Sequence, residues 1–211
     1  MCKITFTLPQ PQLTAGTVPN TWAELGRRIN PPPKSRTLYL LLGPSGAGKS
    51  TLGCYLKELG IPELISTTTR PMRKGEVEGL TYYFVTKEQF GSIPMIESTV
   101  YNDNSYGTSK AEVERVLSSN GSAYAIVDRH GVEQFKALYG SEQVKVIYVY
   151  VPVKLAVERM RARGDSEDNI ADRVRHAFRS GEFDNLGIAD YCIVNKELDE
   201  SLRQLKAIVG G

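Results

Sequence analysis

The sequence predicts an α/β fold, a mainly parallel sheet flanked by helices. Three observations predict it. From Thr37 onward, short apolar runs alternate with segments of helical length, the pattern of strands covered on both faces by helices. A glycine-rich turn carrying a lysine stands between the first apolar run and the first helical segment. Residues 62–108 then break the rhythm with short β-like pieces, YYFV, MIES and TVY, as expected of a small mixed α/β insertion.

Composition narrows the partners. The chain of 211 residues, with 41% hydrophobic and 24% charged residues, is that of an ordinary globular domain. Its 26 basic and 24 acidic residues leave a formal charge of +2. A nucleic-acid or anionic-membrane binder would carry a marked basic excess, so neither is expected as a partner. The three cysteines, Cys2, Cys54 and Cys192, form no CxxC or Cys/His cluster and fit a reducing, cytoplasmic compartment. No apolar leader or membrane span is legible.

Residues 1–36 read as an N-terminal extension, partly disordered or packed on the core. Pro9–Asn20 is rich in Pro, Gln and Thr. Thr21-Trp-Ala-Glu24 matches a capping box for a short helix over 22–29, which Pro31-Pro32-Pro33 would stop. The folded domain is expected over 37–211. Its strand candidates are 38–42, 123–128, 144–151 and 190–194. Helices are expected over 49–59, 109–118, 131–139, 153–162, 168–179 and 197–209.

The turn after the first strand reads Gly43-Pro-Ser45-Gly46-Ala47-Gly48-Lys49-Ser50, a complete G-x-x-x-x-G-K-[ST] match in the strand-to-helix context the motif needs. Glycines let successive N–H groups face one anion, and the helix N-terminus adds its dipole. Residues 43, 45–50 and Thr51 are therefore expected around the phosphates of a nucleoside triphosphate. Lys49 would reach the β- and γ-oxygens and Ser50 would ligate Mg2+.

The segment Ser66-Thr-Thr-Thr-Arg70-Pro-Met-Arg73-Lys-Gly-Glu76-Val-Glu-Gly79-Leu-Thr-Tyr82-Tyr-Phe84 offers two arginines, a cluster of hydroxyls and a tyrosine. Arginine forks and hydroxyls bind phosphate, although a solvated polar loop has the same composition. The segment resembles the GMP-binding signature of guanylate kinases, T-[ST]-R-x-x-[KR]-x-x-[DE]-x-x-G-x-x-Y-x-[FY]. That resemblance implies that Ser66, Arg70, Arg73 and Tyr82 hold the GMP phosphate. It continues through Glu97 and Tyr106-Gly107-Thr108, which are similar to the family's glutamate and YG[ST] turn that read guanine. A carboxylate can accept from guanine N1–H and N2–H, and Thr108 can donate to O6. Adenine would leave such a carboxylate unmatched, a mismatch worth about 10⁴-fold or more in discrimination.

The apolar run 123–127 ends in Asp128, much like a Walker-B strand. Asp128 would hold Mg2+ or help fix the acceptor, or it simply begins a loop. The family's D-x-D-x-Q-G reads Ile126-Val-Asp128-Arg-His130-Gly131 here, with Ile126 for the first acid and His130 for the glutamine. His130 is expected to be structural, and His176 to lie on a helix. Six arginines and no lysine fall between 159 and 179. The segment 159–173 resembles the family's arginine lid, which implies that Arg159, Arg163 and Arg173 neutralise the transferring phosphoryl group. Ser180 stands where the family commonly has a helix glutamate. Asp190-Tyr-Cys-Ile-Val-Asn195 resembles the family strand whose asparagine lies near the adenine of ATP, although a plain edge strand has the same pattern.

The resemblance covers residues 37–209. It implies the P-loop nucleoside-monophosphate kinase fold, with a GMP-binding insertion over 62–108 and an arginine-rich lid. It also implies in-line transfer from ATP to GMP or dGMP with Mg2+, in a monomer or homodimer. Lys49, Arg70 and the lid arginines would offset charge on the transition state. Two readings stay open beside it: a kinase of the same fold for another acceptor, and a catalytically inactive binding module.

Overall fold

The computed structural model describes residues 36–101 and 103–210. The helix expected over 22–29 lies outside the described residues, as does the rest of the extension except Arg36, which pairs with Glu114 at 3.0 Å.

Strand β1 (Thr37–Leu42) is the centre of the main sheet. Strands β6 (Ser122–Ile126) and β7 (Val144–Tyr150) flank it, and β8 (Tyr191–Val194) lies beyond β7, every neighbour parallel. Successive residues of a strand face opposite sides. Leu38, Leu40 and Leu42 join one core cluster with Val113, Leu117 and Phe135. Tyr39 and Leu41 join the other with Leu52, Leu56 and Leu205. Both faces are buried, which is why this strand reads as an unbroken apolar run. Truncating Leu40, fully buried, to alanine would cost about 2–5 kcal/mol.

The helices that pack on this sheet are α1 (Lys49–Glu58), α3 (Lys110–Asn120), α4 (Arg129–Gln143), α5 (Val153–Ala162) and α7 (Leu198–Val209), while α6 (Glu167–Arg179) packs on α5. Three of these helices, α3, α4 and α6, start on side-chain caps. Ser109, Asp128 and Ser166 accept from the N–H groups of Glu112, Gly131 and Asn169 at 3.2, 2.8 and 3.4 Å, satisfying donors that a first turn leaves free. The regular part of α4 stops where expected, at Gly140, whose φ of 77° is not helical.

The stretch 62–108 forms a second, mixed sheet in the order β3 (Tyr83–Phe84), β2 (Thr67–Thr68), β5 (Asn104–Ser109), β4 (Met95–Tyr101). Two expectations change here. MIES and TVY are parts of one strand, β4, paired antiparallel with β5. Tyr106-Gly107-Thr108, expected as a turn, lies inside β5. A short helix, α2 (Lys87–Ser92), was legible in principle. Thr86 and Gln89 form a reciprocal capping box, with bonds of 2.8 and 3.2 Å. Among the described residues no helix is long and apolar enough to cross a membrane.

Candidate functional site: a phosphate cradle facing an acceptor pocket

The loop Gly43–Gly48 joins β1 to α1. Gly43 and Gly48 have φ of 148° and 93°, backbone that a side chain rarely adopts. A Cβ on Gly43 would also strike the Val149 carbonyl. No side chain caps α1, and its first turn holds no acidic residue. Its leading N–H groups are therefore free of a competing cap, as an anion site requires. Lys49 donates to the carbonyls of Gly43 and Pro44, the second at 3.0 Å. Burial pulls its pKa down to about 8, with Arg163 and Arg173 adding to the fall and Glu182 opposing it. A cavity of about 400 Å³ opens over the loop, lined by Lys49, Ser50, Thr51, Arg159 and Arg163 among others.

The lid arginines converge on this loop from α5 and α6. Arg159 Nη2 donates to the Lys196 carbonyl at 3.3 Å, while its buried Nη1 has no hydrogen-bond partner among the described residues. Arg173 Nη1 donates to Ser45 Oγ at 3.2 Å. Arg163 holds Asp165 through bonds of 3.0 and 2.5 Å, and Arg173 lies 3.9 Å from the same carboxylate. The Arg163 guanidinium keeps Asp165 below the usual carboxylate range. Arg161 and Arg175 are surface charges that pair with Glu167 and Asp172.

On the acceptor side, Arg70 forms a two-toothed pair with Glu76 at 3.1 and 2.7 Å. Glu76 also accepts from the Arg73 N–H at 2.7 Å, and Arg70 above all holds its carboxyl below the ordinary range. The guanidinium of Arg70 lies 5.5 Å from the Tyr82 ring centre, a cation–π contact. Tyr106 packs edge-on against Tyr82 at 6.0 Å. Ser66 precedes β2, and its carbonyl accepts from Tyr83 N at 2.9 Å. Arg73 is exposed.

Glu97 and Thr108 face each other across β4 and β5 in register. The Thr108 hydroxyl, expected to donate to guanine O6, donates instead to Glu97 at 2.7 Å. Cross-strand pairing brings it within reach of that stronger, charged acceptor. Burial pushes the Glu97 carboxyl up, the Thr108 bond counters this, and Asp128 adds to the rise. Gly107 sits where a Cβ would crowd the Glu97 backbone, so the close hairpin needs a residue without a side chain.

Asp128 departs from expectation. The strand β6 ends at Ile126, and Asp128 is the N-cap of α4. It lines a cavity of about 650 Å³ with Tyr106, His130, His176, Glu182 and Asn185, whereas Ser50 lines the cradle cavity. The two expected metal ligands thus stand in different cavities, with Asp128 at the start of α4 two residues beyond the end of β6. Among the described residues no group of three or more His, Cys, Asp or Glu could hold a metal. His130, expected to be structural, has an exposed side chain at this cavity, and His176 lies on α6, 3.6 Å from Glu182. Asn195, expected beside a base, is buried, with its amide turned under the cradle.

Sequence reading did not assign Glu76, Asp165, Glu182 or Asn185. Glu76 is the acidic position of the quoted signature, which was the available signal. Glu182 and Asp165 each follow a glycine with positive φ, Gly181 and Gly164, and no pattern announces where such turns send a side chain. A third cavity of about 440 Å³ shares Ser45 with the cradle and His176 and Glu182 with the acceptor pocket. This cavity lies between the cradle and the pocket in its lining residues.

Comparison with known proteins agrees with this geometry. A family model described as guanylate kinase matches residues 35–210. A guanylate kinase from Synechocystis sp. is 37% identical over 181 residues, covering 82% of this chain and 93% of the relative. One from Methylococcus capsulatus is 38% identical, with coverages of 82% and 86%. The crystal structure of guanylate kinase from Anaplasma phagocytophilum superposes with a TM-score of 0.62 at 26% identity, covering 84% of this chain and 86% of that one. With a guanylate kinase model matched over residues 35–210 and relatives of this identity covering most of both chains, the chain belongs to the guanylate kinase family.

Proposed function

We propose that the protein transfers the γ-phosphoryl group of ATP to GMP, giving ADP and GDP. The observation that carries this reading is the series of three cavities that share lining residues, from the phosphate cradle to the pocket lined by Tyr106 and Asp128. Such a groove fits two nucleotides placed end to end. ATP phosphates would occupy the loop 43–51, with Lys49 on the β- and γ-oxygens. GMP would set its phosphate against Ser66, Arg70, Arg73 and Tyr82 and its base against Glu97 and Thr108, flanked by Tyr106, Gly107 and Asp128. Residues 62–108 then act as the acceptor-binding insertion and 159–173 as the lid, the two working parts of a domain spanning 37–211.

In-line transfer passes through a loose transition state whose charge needs positioned cations more than a protein nucleophile. Arg159, Arg163 and Arg173 supply them. The unpartnered Nη1 of Arg159 is a donor awaiting an acceptor of that kind. Arg70 and Arg163 exchange Glu76 and Asp165 for phosphate oxygens, so bound nucleotide replaces a resident carboxylate. Mg2+ fits this donor set through Ser50, whose hydroxyl oxygen would be its ligand from the protein. When bound, Mg2+ would offset charge on the triphosphate.

The test is ADP release measured with AMP, GMP, dGMP, CMP and UMP as acceptors. Turnover is expected with GMP or dGMP and at least a hundredfold less with the others, in line with polar mismatch at Glu97. Equal rates with AMP would remove the guanine-reading role, and no turnover with any acceptor would leave a binding module.

A further inference from the structure

The geometry points to Asn195 as a positioning residue for the phosphate cradle: its buried amide fixes the Ala47–Gly48 peptide so that the Gly48 N–H faces the triphosphate. The inference rests on the reading of the loop 43–51 as the ATP site.

Asn195 follows β8, where its own N–H bonds to the Tyr150 carbonyl at 2.9 Å. The residue is 3% exposed. Its Nδ2 donates to the Ala47 carbonyl at 2.7 Å, and its Oδ1 lies 3.0 Å from Ser201 Oγ, whose single proton it shares with the Glu197 carbonyl at 2.9 Å. A carbonyl only accepts, so the atom facing Ala47 must be the amide nitrogen, and the hydroxyl of fully buried Ser201 holds that orientation from behind. Both ends of the amide are thus engaged by the protein.

The consequence follows from peptide geometry. Across a trans peptide the C=O and the next N–H point in opposite directions, and no described peptide bond is cis. Pulling the Ala47 carbonyl down onto Asn195 therefore turns the Gly48 N–H up toward the cradle. Ala47 is itself fully buried, and its N–H bonds to the Pro44 carbonyl at 3.1 Å, so this peptide has little freedom once the amide is in place. The approach is close enough that a Cβ on Gly48 would collide with Asn195 Nδ2. The next residue along, Lys196, lends its carbonyl to Arg159, so the turn between β8 and α7 grips both the cradle and the first lid arginine. Without the amide, the peptide could rotate and present a carbonyl lone pair to the phosphates, which repels what the loop must bind.

The experiment measures, by calorimetry with Mg2+, the affinity of the full chain for a non-hydrolysable ATP analogue, inorganic tripolyphosphate and GMP. Asn195→Ala removes the brace, and Ser201→Ala loosens it while leaving the amide. Losing a bond to a buried carbonyl is expected to weaken ATP analogue and tripolyphosphate alike, by about tenfold in Asn195→Ala and less in Ser201→Ala, with GMP affinity within about twofold. If Asn195→Ala does not fold, Ser201→Ala carries the same expectation. A loss confined to the ATP analogue would mean that Asn195 reads the base, overturning the inference. An equal loss for GMP would mean a general structural role and would overturn it too, as would unchanged affinities. Failure of the wild-type chain to bind either triphosphate would instead remove the ATP-site reading on which the inference rests.

Discussion

The two halves of the groove are prepared for their ligands in different ways. The donor side is built from backbone whose orientation is already set: glycines with positive φ, a helix start without a side-chain cap, and an Asn195 amide beneath the loop. The acceptor side is built from side chains that hold one another, Arg70 on Glu76 and Thr108 on Glu97. The backbone N–H groups of the cradle gain a partner without surrendering one, whereas Lys49 and Arg163 exchange theirs, so affinity there depends mainly on geometry. A side-chain site must exchange partners, so its affinity is a difference between two sets of charge-assisted bonds. Specificity belongs on the second side, because an exchange succeeds only with a ligand that replaces what it displaces.

The strongest way to break that contrast is at Lys49. Lys49→Ala should lower kcat by about a hundredfold or more, the cost of removing a group that stabilises transition-state charge, while calorimetric GMP affinity stays near wild type. Comparable loss on both sides would mean that the two halves are not separable.

Arg70→Ala should raise the KM for GMP by about ten- to a hundredfold, since a charge-assisted phosphate bond is lost, and should leave ATP analogue affinity unchanged. Glu97→Gln should lower kcat/KM for GMP by about tenfold with AMP still a poor substrate, because an amide donor then faces a guanine N–H. An unchanged value for either variant would place the exchange elsewhere.

Acid and alkali should sharpen the contrast in opposite directions. Burial lowers Lys49 to about 8, and the triphosphate binds its protonated form. Affinity for the ATP analogue should therefore fall as pH rises through about 8. Glu97 is raised, chiefly by burial, and guanine binds its ionised form. GMP affinity should fall as pH drops, at a higher pH than an ordinary carboxylate would give. Calorimetry from pH 5 to 9 would read both limbs, and parallel profiles for the two ligands would contradict the assignment.

The smallest effect is expected at Ile126. It ends β6 and is 37% exposed, so Ile126→Asp places its charge in water rather than in a dry core. The thermal midpoint should move by no more than a few degrees. With Asp128 turned to the acceptor side, the added acid should change the Mg2+ dependence of kcat little. A large fall in the midpoint would show instead that the strand end is sealed.

Much was legible in advance because it is local. Residues 38–42 and 144–150 had to be buried strands, since only a sheet covered on both faces hides consecutive apolar side chains. The glycine-lysine turn was expected to cradle an anion, since its spacing and position determine where its N–H groups point. The four-residue signal at Thr86 and Gln89 was equally local, although the broken rhythm around it concealed the helix. Other features could not be read this way. Whether Asp128 ends a strand or caps a helix depends on where β6 stops. Whether Arg70 rests on Glu76 depends on a turn six residues long, and whether Asn195 meets a base or a carbonyl depends on a contact 148 residues away.

The sequence by itself therefore determined the layered α/β fold, the cradle and the residue types of the acceptor signature, because periodicity and short motifs act over a few residues. Only the tertiary structure decided which polar partner each of those residues takes. A hydrogen bond or ion pair is directional and short, and the identity of the atom three ångströms away is fixed by how distant segments pack.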